Sequence, residues 1–370
     1  MTNPNEIIRD VLEAFVHDHD EVGLQTAAYL DGDLVIDAVA GFADGLKRQP
    51  IDSDTLFTTF SISKGITATC IHILVDRGLL DYEAPIAHYW PEFGVRGKSE
   101  ATIKHVLTHQ AGIPKDSPQI SISMMTEWEA VTRATAELEA LSKPGTRVDY
   151  HALTYGWILG ETLRRVDGRS ISEFLEEEIC NPLNIRDLYF GIPQSQEHRT
   201  ATLFNAPDLE IYKQDFKLPA EHPLSDTANT FNRSDIRRAI IPGAGAIANA
   251  RSLARHYAML AAGGELDGVR ILSEEGLAKA LVPVPEDNKE IGVHWWTRQC
   301  LGYTLGGGPG PRKGRPNAFG YEGTGTIAFA DPDRRFAFAF LKNVVDLKPI
   351  DEQAIVTQVC QAVENALGIA

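Results

Sequence analysis

Apolar residues recur at helical spacing near the start of the chain, where Ile7, Ile8, Val11, Leu12, Phe15 and Val16 share one side of a helix after a Pro-Asn start. Two strand-like runs follow, over 23–30 and 34–40. The Asp31-Gly32-Asp33 stretch between them is a hairpin signal, since both residue types tolerate the left-handed backbone of tight turns. The far end mirrors the first. Residues 325–330 and 336–341 read as two strands around a turn at Asp331-Pro332-Asp333-Arg334. A last helix carries Ile355, Val356, Val359, Val363 and Leu367 on one side.

The long middle is helical in pattern. Helix signals fall at 100–108, 123–141, 154–166, 170–179 and 250–262, the last closed by Gly263-Gly264. The stretch 191–242 is long, contains prolines and is poorly periodic, the character of a loop that covers a site. This order predicts an α+β fold: one antiparallel sheet built from both termini, flanked by helices, with a mostly helical domain inserted. The expected division is 1–80 with 290–370 for the sheet domain, and 81–289 for the helical one with its cover loop. No internal repeat is visible, and the one low-complexity segment is Gly306-Gly307-Gly308-Pro309-Gly310-Pro311.

Composition narrows the function classes. Of 370 residues, 43% are hydrophobic and 23% charged, ordinary values for a soluble globular protein. The net charge of −16 disfavours nucleic acid and anionic membranes as partners. No apolar run approaches membrane-spanning length. The first residues carry neither a basic nor an apolar leader region. Cys70, Cys180, Cys300 and Cys360 lie far apart, which suits buried reduced thiols and a cytoplasmic location better than a disulfide frame.

Candidate chemistry centres on Ser61-Ile62-Ser63-Lys64, which follows an extended stretch (Thr55 onward) and opens an apolar-periodic one. A serine on a first helical turn sits near unpaired backbone N–H groups at the positive end of the dipole. A lysine three residues later lies on the same face. If that lysine is desolvated, its pKa falls and it can help deprotonate the serine. On four letters alone the motif is weak, because an N-capping serine followed by a solvated lysine reads the same way.

Three further segments strengthen it: Val106-Leu107-Thr108-His109-Gln110-Ala111-Gly112-Ile113-Pro114, Pro144-Gly145…Tyr150-His151-Ala152, and Phe319-Gly320-Tyr321-Glu322-Gly323-Thr324-Gly325. With the serine segment and in this order, they resemble the landmarks of the serine β-lactamase and penicillin-binding-protein superfamily. The likeness is to its class C-like branch with the family VIII carboxylesterases, and it spans almost the whole chain. The resemblance implies Ser61 as the acylated nucleophile, Lys64 as its activating partner, and Tyr150 as a sharer of the base role that protonates the leaving alcohol. It implies an oxyanion hole from the backbone N–H groups of Ser61 and Thr324. A phenol beside a buried ammonium is expected to have a lowered pKa.

Departures from the family pattern bear on the substrate. Ala152 stands where β-lactamases of this type keep an asparagine. Tyr321-Glu322-Gly323 replaces their Lys-Thr-Gly, whose lysine helps bind the β-lactam carboxylate. Losing a cation and gaining Glu322 makes carboxylate recognition costly by Coulomb repulsion, with Arg312, Lys313 and Arg315 as possible substitutes. Ala152, Tyr321, Glu322, Gly323 and Trp295 are the candidate substrate-binding residues; Trp295 and Trp296 either wall an acyl pocket or pack the sheet.

Other motifs carry less. No Gly-x-Ser-x-Gly surrounds Ser61. His17-Asp18-His19-Asp20 reads as a solvated helix end. His105 and His109 share the spacing of a zinc pair but lack its glutamate, and read as structural. Residues 306–311 read as a mobile rim. The expected function is a serine ester hydrolase acting on small or medium acyl esters. Acyl transfer with the same machinery, or β-lactamase or D-amino-acid peptidase activity, are the alternatives. No metal or organic cofactor is implied.

Overall fold

A computed structural model describes residues 3–18, 21–46, 48–114, 120–206, 225–285, 290–291, 298–308, 310–348 and 354–370. Five helices organise it: α1 (Pro4–Asp18), α2 (Ile62–Asp76), α3 (Thr154–Asp167), α4 (Ala250–Ala261) and α5 (Ala354–Leu367). The main sheet has seven strands: β1 (Gly23–Leu30), β2 (Asp33–Asp44), β3 (Gln49–Pro50), β4 (Thr304–Leu305), β5 (Phe319–Glu322), β6 (Ile327–Asp331) and β7 (Phe336–Lys342). Their spatial order is β4-β5-β6-β7-β1-β2-β3, antiparallel throughout. The sheet therefore closes β1 from one end of the chain against β7 from the other, as the mirrored hairpins predict.

Local sequence explains both hairpins. Asp31 and Gly32 have φ of +52° and +93°, the backbone that a two-residue turn between twisted strands requires. At the other end a single turn, Pro332–Arg334, leads into Arg335 at φ +50°. Both faces of the sheet are covered. On β7, Phe336, Phe338 and Phe340 point into the core shared with α1 and α5. Ala337, Ala339 and Leu341 alternate with them and face the other core. The small alanines let α4 lie close on β1, β6 and β7. That helix falls in the 81–289 segment assigned from sequence to the helical domain, yet it packs on the sheet.

Two predicted helices are broken. The 123–141 signal divides into a tight turn, Ile122–Thr126, and a helix, Trp128–Ala136, with Glu127 extended between them. Trp128 Nε1 donates to buried Glu161 at 2.8 Å, which fixes where the second piece begins. The 170–179 signal is helical to Leu175, then widens over Glu176–Cys180. There Glu177 and Glu178 accept from Arg169 at 2.6 and 2.7 Å, and Glu178 also pairs with Arg77. Both breaks coincide with side-chain pairs to residues outside the helix. A small antiparallel sheet of Phe57–Thr58, Ala246–Ala248 and Leu188–Phe190 lies beside α2 and positions its start.

The core holds neutral imidazoles. His72 Nε2 donates to Leu301 O at 3.0 Å, because a carbonyl only accepts, and its Nδ1 therefore accepts from Tyr82 Oη at 2.7 Å. Burial pushes His72 down to about 3, and burial pushes His151 and His256 down to about 4. The unfolded chain binds protons at these sites near the ordinary value of about 6.5, and the folded chain refuses them. Their stabilisation is complete above that value and is lost as pH falls toward the folded values. The thermal midpoint at constant ionic strength should therefore drop steadily from about pH 6.5 to 4.5, above the range where most carboxylates titrate. A flat midpoint across that window contradicts the buried neutral rings.

Candidate active site

The turn before α2 is built to present one hydroxyl. Thr59 N–H donates to Ala246 O at 2.8 Å, and its side chain donates to the same carbonyl at 3.1 Å. Ala246 N–H donates to Ser63 Oγ at 2.9 Å, and the Ser63 hydroxyl donates to Phe60 O. Between these anchors Phe60 adopts φ +49°, a region a bulky side chain rarely enters. Its ring meets Phe231 edge-on, 5.4 Å between centroids. The bend delivers Ser61 to the N-cap position of α2, but its side chain makes no capping bond. Ser61 Oγ lies instead 2.6 Å from Tyr150 Oη and 3.2 Å from Lys64 Nζ.

Lys64 is fully buried, at 0% exposure. Besides Ser61, its ammonium nitrogen donates to Ala152 O at 2.8 Å and to Gly243 O at 2.7 Å. These carbonyls come from segments far apart in sequence, joined by a glycine contact. A Cβ on Gly156 would lie 2.0 Å from Gly243 N, so only glycine lets the start of α3 meet this loop. One turn along α2, Thr67 Oγ1 donates to Pro242 O at 2.9 Å and holds the loop in register. An ammonium fills Ser61 Oγ and both carbonyls with its three N–H groups. A neutral amine keeps two N–H groups on the carbonyls and turns its lone pair to Ser61 Oγ. The same cage serves both states, so a proton can arrive or leave without rearrangement.

Tyr150 lies over the same corner, with Lys64 Nζ 4.6 Å from its ring centroid. Burial pushes the Tyr150 phenol well above its ordinary value, while hydrogen bonds with Ser61 and Tyr321 pull the other way. The expected lowering is thus reversed, because desolvating a phenolate here outweighs its favourable contacts. Burial favours the neutral phenol at Tyr150, suited to giving a proton.

The Tyr321-Glu322-Gly323 strand end divides its side chains. Tyr321, 2% exposed, holds its hydroxyl oxygen 2.9 Å from His109 Nε2 and hydrogen-bonded with Tyr150. Glu322 points the opposite way, as strand alternation requires, pairing with buried Arg312 and accepting from Thr304 Oγ1 at 2.9 Å. Its charge is neutralised within the protein, which corrects the expected repulsion of a substrate carboxylate. Arg315 pairs with Glu364, so two of the three suggested substitute cations are committed elsewhere; Lys313 is exposed. Gly323 must be glycine, since a Cβ there would lie 2.7 Å from Thr59 O. That close approach sets Thr324 beside the bend carrying Ser61. Among the described residues neither the Ser61 nor the Thr324 backbone N–H donates to a protein acceptor.

Of the remaining candidates, Ala152 contributes its carbonyl to the lysine cage. Trp295 lies outside the described residues, as do Trp296, His19 and Asp20. His105 and His109 are separated in role. His105 Nδ1 accepts from Thr102 N–H at 3.2 Å and caps the helix Ile103–Leu107, whereas His109 faces Tyr321. Sequence reasoning missed Gly243. Its signal was the Pro242-Gly243-Ala244-Gly245 run closing the cover loop, whose glycines permit close backbone approach.

The beta-lactamase family model matches residues 8–358 of this chain. The chain belongs to the beta-lactamase family. Among family members, it is 33% identical to esterase/beta-lactamase LipL of Mycobacterium tuberculosis (strain ATCC 25618 / H37Rv), over 86% of this chain and 76% of LipL. The crystal structure of a family VIII carboxylesterase matches with a TM-score of 0.86 and 31% identity, covering 99% of this chain and 98% of that one. A penicillin-binding-protein homologue from Caulobacter crescentus matches at 0.84 and 30%, with the same coverage.

The glycine contact under the lysine cage is directly testable in this beta-lactamase family member. Gly156→Ala should lower the free energy of unfolding by about 1–3 kcal/mol or more, as overpacking against backbone does. Urea unfolding followed by far-ultraviolet circular dichroism measures it. A parent-like midpoint would show that the two segments do not meet.

Proposed function

We propose that the protein is a serine carboxylesterase acting through an acyl-enzyme on Ser61, with Lys64 as base and Tyr150 as proton donor to the leaving alcohol. The observation that carries this reading is the buried Lys64 nitrogen, held by two carbonyls with its remaining direction on Ser61 Oγ. Such a group is a base poised for one hydroxyl and shielded from water. As Ser61 attacks the ester carbonyl carbon, its proton passes to Lys64. The backbone N–H groups of Ser61 and Thr324 receive the developing oxyanion, a contribution worth ~3–4 kcal/mol per donor in such sites. On collapse the alkoxide takes the Tyr150 proton and departs as alcohol, leaving a phenolate beside the Lys64 ammonium. Water then attacks the acyl group and returns a proton to Tyr150. Ser61 leaves with the proton held by Lys64, and the starting state is restored.

The substrate class follows from charge. Ala152 offers no side-chain amide, Tyr321 replaces a cation with a neutral hydroxyl, and Arg312 and Arg315 are committed within the protein. A neutral small or medium acyl ester asks for none of these groups. The similarity to a family VIII carboxylesterase supports the same class. LipL carries both esterase and beta-lactamase in its name, so β-lactam turnover is the alternative to measure against.

Ser61→Ala should fold and lose p-nitrophenyl ester turnover, with residual activity below about a thousandth of the parent. Lys64→Ala and Tyr150→Phe should each cost ~100-fold or more, and the double variant little beyond the worse single, because the two share one proton. Additive losses in kcat/KM would assign them separate roles. In parallel assays the parent should hydrolyse short p-nitrophenyl esters well ahead of a chromogenic cephalosporin. Equal rates would reverse the substrate assignment.

A further inference from the structure

His109 has no part in the chemistry above, yet the structure holds it firmly in an unfavourable conformation. Its φ of +57° is left-handed, uncommon for a residue with a side chain. Its carbonyl accepts from Asp149 N–H at 2.9 Å, its Nδ1 accepts from His151 N–H at 3.1 Å, and its Nε2 lies 2.9 Å from Tyr321 Oη. The ring packs among Tyr150, Tyr155 and His151, with centroids 4.8, 5.3 and 5.7 Å away. A backbone N–H can only donate, so Nδ1 presents a lone pair and the hydrogen of the neutral ring sits on Nε2. The Tyr321 oxygen therefore receives a hydrogen from His109 and has its own to give. Tyr150, its hydrogen-bond neighbour, is placed to accept it.

We propose that His109 is a positioning residue of the hydrolytic centre, whose fixed tautomer sets the direction of the hydrogen bonds running from Tyr321 through Tyr150 and Ser61 to Lys64. The proposal rests on the roles given above to Ser61, Lys64 and Tyr150. A row of hydroxyls has no direction of its own, because each can donate either way. Here both ends are tied. At one end the Ala152 and Gly243 carbonyls occupy two hydrogens of the Lys64 amine and leave its lone pair for Ser61. At the other, the His109 N–H faces Tyr321. Only one arrangement satisfies both: His109 donates to Tyr321, Tyr321 to Tyr150, Tyr150 to Ser61, and Ser61 to Lys64. In that arrangement the serine hydrogen already points at its base. Once Tyr150 has given its proton to the leaving alcohol, the bond from Tyr321 steadies the phenolate where the family pattern has a lysine. His109 touches no reacting atom and acts through Tyr321.

Steady-state kinetics on p-nitrophenyl acetate test this with three variants and a cycle. His109→Asn tolerates the left-handed backbone and keeps an oxygen for His151 N–H, but nothing on it reaches Tyr321. It should lower kcat by about 10- to 100-fold with KM within about twofold, as loss of an orienting partner does. His109→Gln, whose amide N–H reaches further, should recover most of the loss. Combining His109→Asn with Tyr321→Phe should cost no more than Tyr321→Phe alone, since one acts through the other. A parent-like kcat for His109→Asn, or losses that multiply in the double variant, would overturn the proposal. Should His109→Asn fail to fold, Tyr321→Phe decides, and a parent-like kcat there overturns it equally. Ser61→Ala is assayed alongside. If it is inactive while the His109 variants match the parent, only this proposal falls; if it stays active, the underlying catalytic assignment falls.

Discussion

Everything at the site depends on keeping one amine dry. A lysine side chain with no exposure has left water, and the cost of that burial is recovered only if each N–H finds a partner. The chain meets the requirement with two backbone carbonyls and one hydroxyl. A neutral amine keeps two N–H groups on the carbonyls, so a proton can leave while the nitrogen keeps its place. The surrounding architecture follows from that need. Gly156 and Gly243 bring their backbones together, Thr67 fixes the loop, and the strained Phe60 bend sets Ser61 on the open side of the nitrogen.

The second constraint is electrostatic economy at the edge of the sheet. Strand alternation sends Tyr321 inward to the hydroxyl row and Glu322 outward to Arg312. A charged residue in the motif thereby becomes part of a closed ion pair with Arg312, bridged by the Thr304 hydroxyl. The neutral Tyr150 belongs to the same design. Burial raises its proton affinity, which suits the proposed route through hydroxyls and one amine rather than through fixed charges.

Much of this was legible in the sequence where local chemistry and global fold agree. The mirrored hairpins gave the sheet, because Asp31-Gly32 and the Pro332 turn each specify their own geometry. The spacing of Ser61 and Lys64 gave their shared face, because residues three apart lie one above the other on a helix. Long-range partners were less visible. The breaks within the 123–141 and 170–179 signals coincide with side-chain pairs to Glu161, Arg169 and Arg77, which periodicity does not record. Gly243 was missed because its role is a carbonyl, which every residue possesses. The Tyr150 shift was expected with the wrong sign because desolvation depends on three-dimensional packing. His109 read as structural, and its bond to Tyr321, 212 positions away, leaves no mark in the local pattern.

The central claim is that the dry amine makes Ser61 the atom that carries the acyl group. Acid-quenching the protein during turnover of a slowly hydrolysed ester, then mapping the digest by mass spectrometry, tests it most directly. The account predicts one added acyl mass, confined to the peptide containing Ser61. Turnover with that peptide unmodified, or with the acyl group on another side chain, would contradict it.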